Sequence, residues 1–177
     1  MCAYDTTPRI ETRRLTLRAP RMEDAPTLAR LCNDFDIARM VSRMPWPYGQ
    51  EDAEGFIARC ALADRRTDAA FLIEHDDEGV VGGLGFHSHP DLPLEVGYWI
   101  GKPFWGRGIA SEALTGAMTW AGRDWKKRVV SAGHFSDNPA SGRVLCRAGF
   151  LYTGEVQLRA CRARGEDVPS RAMIWLP

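Results

Sequence analysis

The chain has 177 residues, with 45% hydrophobic and 26% charged residues, the size and make-up of one globular domain spanning 1–177. Lys and Arg number 23 and Asp and Glu also 23, so there is no basic excess to favour nucleic acid as the main partner. Five cysteines at 2, 32, 60, 146 and 161 form no CxxC pair. They suggest neither a zinc site nor a disulfide framework, and reduced thiols in the cytoplasm are the simplest expectation. The start, Met1-Cys-Ala-Tyr-Asp-Thr-Thr-Pro8, lacks the basic-then-apolar pattern of a signal peptide, and no apolar run is long enough to span a membrane.

Ile10–Arg18 ends in alternating apolar and polar residues and is predicted as a first strand. Met22–Cys32 places Ala25, Leu28, Ala29 and Leu31–Cys32 at helical spacing. A helical turn is expected at Asp36–Val41. Two prolines and a glycine make Arg43–Gly49 irregular, and helical periodicity resumes over Gln50–Ala63. Ala69–His75 and Val80–His87 flank an Asp-Asp-Glu-Gly turn at 76–79 and predict a hairpin, followed by a strand at Leu94–Ile100. Ile109–Trp125 is a long helix with Ala110, Ala113, Ala117 and Ala121 on one face. Val129–His134 is a strand and Pro139–Ala148 a short helix opened by proline. Phe150–Leu158 and Arg171–Leu176 are two closing strands. The order describes a mixed α/β domain and is shared by several folds.

The most informative stretch runs from Leu94 to Leu114. A strand ends, a loop with glycines at 101, 106 and 108 turns, and a helix starts at once. The first N–H groups of that helix lack internal partners and lie at the positive end of its dipole, while glycines let backbone approach an anion closely. Such a loop cradles a pyrophosphate. No Gly-x-x-x-x-Gly-Lys-Ser/Thr run exists. Gly106-Arg-Gly108-Ile-Ala-Ser111 departs from a dinucleotide fingerprint at its third glycine position, and the acidic residue expected about 20 positions later is missing. A loop that merely turns the chain is the plainer alternative.

Trp105-Gly-Arg-Gly108-Ile-Ala110 resembles motif A of the GCN5-related N-acetyltransferases (GNAT), Gln/Arg-x-x-Gly-x-Gly/Ala. With Glu95-Val-Gly-Tyr-Trp-Ile100 before it, and Asn138-Pro-Ala-Ser141 leading to Gly149-Phe150 after it, the chain is similar to the branch of the ribosomal-protein alanine N-acetyltransferases (RimJ/RimL-like). Glu11–Arg18 and Pro45–Tyr48 also fit that branch. The resemblance implies an α/β GNAT fold, with a central mixed, mostly antiparallel twisted sheet and helices on both faces. It implies acetyl-CoA as cosubstrate, no metal, and an amine acceptor, either a peptide N-terminus or a small molecule. A homodimer is the family-based expectation for assembly.

Laid onto matching positions, the resemblance implies that Gly106, Arg107, Gly108, Ile109, Ala110 and Ser111, entered through Trp105, hold the coenzyme A pyrophosphate. The backbone of Tyr98, Trp99 and Ile100 would pair with the pantetheine arm, and Asn138 would hydrogen-bond it. Ser141 would lie near the thioester sulfur as a proton donor to the departing thiolate. Met44–Gly49 and the turn around Arg162–Asp167 would wall the acceptor pocket. The tyrosine that many of these enzymes use as the acid counts to Leu145, and the glutamate proposed as base in the alanine acetyltransferases counts to Ala160.

Glu95 is the best base candidate on the residues themselves, on the side of its strand shared with Gly97 and Trp99. A carboxylate bridging strands is an equal reading. His87 and His89 are further base candidates, with plain loop roles the more frequent outcome. The spacing His87-x-His89 lacks the extra carboxylates or thiols of a metal site. Trp46 and Tyr48, between prolines in a loop, are expected to meet substrate. Arg159, Arg162 and Arg164 read as a solvated strand face, or as a lure for an acidic acceptor. A non-catalytic acyl-CoA sensor and a dinucleotide-dependent enzyme are the competing functions.

Overall fold

In the computed structural model, which describes residues 7–90 and 92–177, eight strands form one mixed sheet in the order β1-β2-β3-β4-β5-β6-β8-β7. The strands are β1 (Ile10–Glu11), β2 (Leu15–Arg18), β3 (Ala69–His75), β4 (Gly79–His89), β5 (Leu92–Ile100), β6 (Val130–Phe135), β7 (Leu151–Cys161) and β8 (Glu166–Trp175). The helices are α1 (Ala25–Cys32), α2 (Phe35–Ala38), α3 (Gln50–Leu62), α4 (Ile109–Arg123) and α5 (Pro139–Arg147). Cys2 and the Met1–Thr6 part of the start considered above lie outside the described residues. Among the described residues no helix is long and apolar enough to cross a membrane.

Two-residue alternation gives the sheet two apolar faces. On one face Leu15, Leu17, Phe71, Ile73, Phe86, Val96 and Ile100 pack against Ala113, Leu114, Ala117, Met118 and Ala121 of α4. The small residues of α4 let the helix lie close to the strands. Leu114 and Phe86 have no exposed surface, and each such side chain contributes about 1.5–3 kcal/mol. On the opposite face Leu72 packs beneath Leu28 of α1 and Ala53 and Ile57 of α3, with Tyr48 from the intervening loop. The sheet is antiparallel except at β5 and β6, which pair in parallel through Leu94–Val130 and Glu95–Ser131.

Several boundaries differ from those expected. Ile10–Arg18 is two antiparallel strands, because the chain reverses between Thr12 and Leu15, where the Thr12 N–H donates to the Leu15 carbonyl at 2.9 Å. The helix expected from Met22 starts with a 3-10 turn, and the turn expected at Asp36–Val41 sits at Phe35–Ala38, capped by Asp34 accepting from the Asp36 N–H at 2.9 Å. A 3-10 turn at Lys102–Phe104, with Pro103 in its first positions, is an element that periodicity does not predict. The long helix stops at Arg123 rather than Trp125, just before Lys126 at φ 58°.

The largest difference is the closing hairpin, where β7 and β8 extend to Cys161 and Glu166 instead of ending at Leu158 and beginning at Arg171. In the added stretches 159–161 and 166–170 the buried positions are Cys161, Val168 and Ser170, and with polar Ser170 on the inner side and Pro169 between, no run of apolar alternation marks them.

Candidate active site

Beyond Glu95 the sheet opens. Residues 96–100 of β5 have no partner in β6, and Ser131 closes the apex by donating to the Pro93 and Leu94 carbonyls at 3.3 Å. A cleft of about 1480 Å³ runs through this opening, lined by β4, β5, β6, the glycine loop and the start of α5. A strand edge beside open space offers backbone donors and acceptors to an extended ligand.

At one end of the cleft lies the cradle. Gly106 and Gly108 take φ 74° and 76°, left-handed conformations that glycine adopts without the strain of a Cβ. Among the described residues, the N–H groups of Gly106, Arg107, Gly108, Ile109, Ala110 and Ser111 have no hydrogen-bond acceptor. The first helical bond of α4 is Glu112 N–H to Gly108 C=O at 3.1 Å, and no side chain caps the helix. Six unpaired donors at a helix N-terminus suit a pyrophosphate, and the residues present fit that group. Ile109 is buried in the core, which leaves only its backbone for a ligand. The side chain of Arg107 turns outward to Glu78 at 3.0 Å.

The cradle is held by residues the sequence reading did not single out. Glu112 on the first turn of α4 accepts from Thr12 Oγ1, the Arg14 N–H and Arg14 Nε, each at 2.8 Å. Arg14 Nη2 also donates to the Arg107 carbonyl at 3.2 Å. Partial burial pushes the Glu112 carboxyl up, yet these donors outweigh it and hold it below the usual carboxylate range. A partner 98 residues away has no local signature.

Trp105 and Ile100, both expected at the cofactor, are bonded to each other. The indole N–H donates to the Ile100 carbonyl at 2.7 Å, and Trp105 is 47% exposed. Trp99 packs with the α1–α3 cluster. Tyr98 faces the α4 side, and its hydroxyl lies 2.8 Å from Ser141 Oγ and donates to the Ser141 carbonyl at 3.1 Å. Burial pushes the Tyr98 phenol up to about 12, so it stays protonated near neutral pH. Asn138 Oδ1 accepts from the Ser141 N–H at 3.2 Å as the cap of α5, which leaves the Asn138 amide hydrogens for another acceptor. The Tyr98 side chain had one readable signal, a phenol alternating with Val96 and Ile100 toward an apolar face, where its hydroxyl needs a partner.

Glu95 lies across from His87 in the β4–β5 register. Its Oε1 accepts from Arg159 of β7 and its Oε2 is 3.3 Å from His89 Nε2. The carboxylate is therefore engaged on both oxygens, and it bridges β4, β5 and β7. Met44, Pro45, Tyr48 and Arg162 wall the cleft. Tyr48 is buried, its N–H donating to Asn33 Oδ1 at 3.1 Å. Trp46 packs on Phe35 at 5.1 Å between ring centroids and does not line the cleft. Arg164 is tied to Asp137 at 2.8 Å and to the Arg39 carbonyl at 2.7 Å, fastening the β7–β8 turn to the body. Among the described residues no group of three or more His, Cys, Asp or Glu could hold a metal ion.

The sheet thus splits at one parallel pair, with a donor-lined helix start at the mouth of the split. The acetyltransferase (GNAT) domain model matches residues 14–151, and the chain belongs to the GNAT acetyltransferase family. An uncharacterized N-acetyltransferase, p20 of Bacillus licheniformis, is 30% identical over 147 residues, covering 81% of this chain and 82% of that protein. The [ribosomal protein uS5]-alanine N-acetyltransferase of Escherichia coli (strain K12) is 27% identical over 158 residues, covering 82% and 79%. A solved structure described as RimL, ribosomal L7/L12 alpha-N-protein acetyltransferase in complex with coenzyme A, superposes with a TM-score of 0.83 at 23% identity, covering 96% of this chain and 98% of that one.

Proposed function

We propose that the protein, as one domain over its 177 residues, transfers the acetyl group of acetyl-CoA directly to a primary amine, either a peptide N-terminus or a small molecule. The observation that carries this reading is the row of six unpaired N–H groups at Gly106–Ser111, opening into the β5–β6 cleft. The coenzyme A bound by the solved relative and the uS5-alanine acceptor of the curated one support the same reading. A cytoplasmic location and a homodimeric assembly go with it as proposals.

In this reading Gly106–Ser111 hold the pyrophosphate, the β5 edge at Tyr98–Ile100, with its Ile100 carbonyl already taken by the Trp105 indole, orients the pantetheine, and Asn138 donates to it. Ser141 protonates the departing thiolate and is itself resupplied by Tyr98, whose hydroxyl lies 2.8 Å away. Leu145, at the position of the family's usual acidic tyrosine, is 1% exposed and has no proton to give. Direct attack by a held amine needs orientation above all.

The test is a thermal-shift titration with acetyl-CoA beside CoA, NAD and NADP, followed by thiol release with alanine- and serine-starting peptides and small amines. Ligand at 100 times its Kd adds about 2.7 kcal/mol, or about 5–10 °C for a domain of this size. A shift with acetyl-CoA and none with NAD is expected. Absence of a shift at saturating acetyl-CoA removes the cradle reading, and binding without turnover of any amine replaces the enzyme with an acyl-CoA sensor.

A further inference from the structure

The acceptor side of the cleft has a bare floor. Gly85 of β4 and Gly97 of β5 are register partners, flanked on the same face by the Gly83–Trp99 pair and the His87–Glu95 pair. A Cβ built on Gly97 meets nothing within 4 Å. No packing contact explains the missing side chain there, so the slot is open for a ligand atom. The His87 ring leans back along its strand over this floor. A Cβ on Gly85 would stand 3.0 Å from His87 Nε2, so Nε2 is the ring nitrogen beside the slot. On the other side of the ring, Nδ1 points to Asp68, with 4.0 Å to Oδ1. Asp68 is itself fixed by the Ser88 N–H at 3.1 Å and by the Ser88 and Thr67 hydroxyls at 2.8 Å each.

We propose that His87 is the general base that frees the acceptor amine, with Asp68 the residue that positions its ring. This rests on the acetyl-transfer reading above. Glu95, the carboxylate on the same floor, has both oxygens engaged by Arg159 and His89, whereas among the described residues the His87 ring makes no hydrogen bond. Its side chain is 35% exposed toward the cleft.

The charges around the ring suit the task. Burial first, and then the Arg43 guanidinium from the loop before α3, push the imidazole below the usual histidine range, against Asp68 and Glu95, with His89 adding in the same sense as Arg43. Partial burial raises Asp68, but the Thr67 and Ser88 hydrogen bonds outweigh it and keep the carboxyl below its usual range. Lys127 faces Asp68 from beyond, and Arg159 neutralises Glu95. Neutral imidazole above an anionic carboxylate is the state that accepts a proton at neutral pH.

The step balances. Nε2 takes one proton from the acceptor ammonium, and the freed amine forms the N–C bond at the thioester carbonyl. The C–S bond then breaks. The adduct nitrogen, which still carries two hydrogens, gives one to water and keeps the other, and the sulfur takes one from Ser141, which is reprotonated from water through Tyr98, giving amide and free thiol. His87 returns its proton to solvent.

The experiment compares wild type, His87→Ala and Asp68→Asn, using an alanine-starting peptide or whichever amine of the panel wild type turns over. Acetyl-CoA thermal shifts measured alongside show that each variant is folded and binds. Expected for His87→Ala is a loss in kcat/KM of about 10²- to 10⁴-fold at neutral pH. Its acid limb should move from below about 6.5 up to the amine's own pKa, about 8 for an α-amine. Added imidazole should restore part of the rate, and Asp68→Asn should lose less. A His87→Ala profile with the wild-type acid limb overturns the proposal, as does a loss equal at every pH without imidazole rescue. Acetyl-CoA binding without wild-type turnover overturns the acetyl-transfer reading and the base with it. Turnover with an unchanged variant overturns the base alone.

Discussion

Glu112→Gln isolates the bond that ties the cradle to the first hairpin. The amide keeps one oxygen for Thr12 and the Arg14 N–H, but it sets an NH2 group against the Arg14 guanidinium, where a carboxylate oxygen stood at 2.8 Å. A charge-assisted hydrogen bond contributes about 1.5–3 kcal/mol. Arg14 is 38% exposed, so solvent screening places the expected loss at about 1–2 kcal/mol, or about 2–8 °C in Tm. Acetyl-CoA affinity should fall as well, since Arg14 also fixes the Arg107 carbonyl.

The pH dependence has a definite sign. The folded-state pKa of Glu112 is depressed, so its contribution is complete above the unfolded value of about 4.3 and fades as pH falls toward the folded one. Thermal melts of both proteins from pH 7.5 to 4 should therefore show a constant gap that narrows at the acid end. Equal Tm values at neutral pH, or a gap that does not narrow as pH falls, would refute the assignment of the anchor to this ion pair.

Gly108→Val places a β-branched residue at φ 76° and should cost about 1–2 kcal/mol of stability together with at least about a tenfold loss of acetyl-CoA affinity, since 1.4 kcal/mol is tenfold. Calorimetry against Gly79→Val, at φ 70° at the start of β4 and outside the cleft, separates strain from loss of the cradle; the control should lose stability and keep affinity. Asp24→Asn removes the charge and leaves one oxygen where two accept from Arg18 at 2.8 Å, in a pair whose side chains are 11% and 7% exposed. Denaturant unfolding should show a loss near the lower end of about 3–5 kcal/mol, because Glu74 remains to face Arg18 at 3.1 Å.

Local sequence carries a site when the chemistry is backbone chemistry in one contiguous stretch. The strand–glycine loop–helix of Leu94–Leu114 needs φ values only glycine takes easily and a helix start with unpaired N–H groups, and both are written in order along the chain. Asn138 and Ser141 stand out in the sequence through the family resemblance of Asn138-Pro-Ala-Ser141, whereas the capping of α5 by Asn138 is seen only in the fold. The helices with a buried face and the β3–β4 hairpin follow from their periods, because burial on one side forces the pattern. The β7–β8 hairpin runs on through Cys161, Val168 and Ser170, whose mixed polarity around Pro169 leaves no apolar period to mark its extent.

Tertiary structure alone decided what long-range pairing controls. It brought Arg14 and Thr12 to Glu112, Tyr98 to Ser141, and Arg159 to Glu95, pairs 98, 100, 43 and 64 residues apart. It also turned Glu95 from an available carboxylate into an engaged one and set His87 over the bare Gly85–Gly97 floor. Amphipathic period and glycine placement are properties of neighbouring residues. The state of a catalytic side chain is set by whichever groups the sheet register brings against it, and that register exists only in the folded chain.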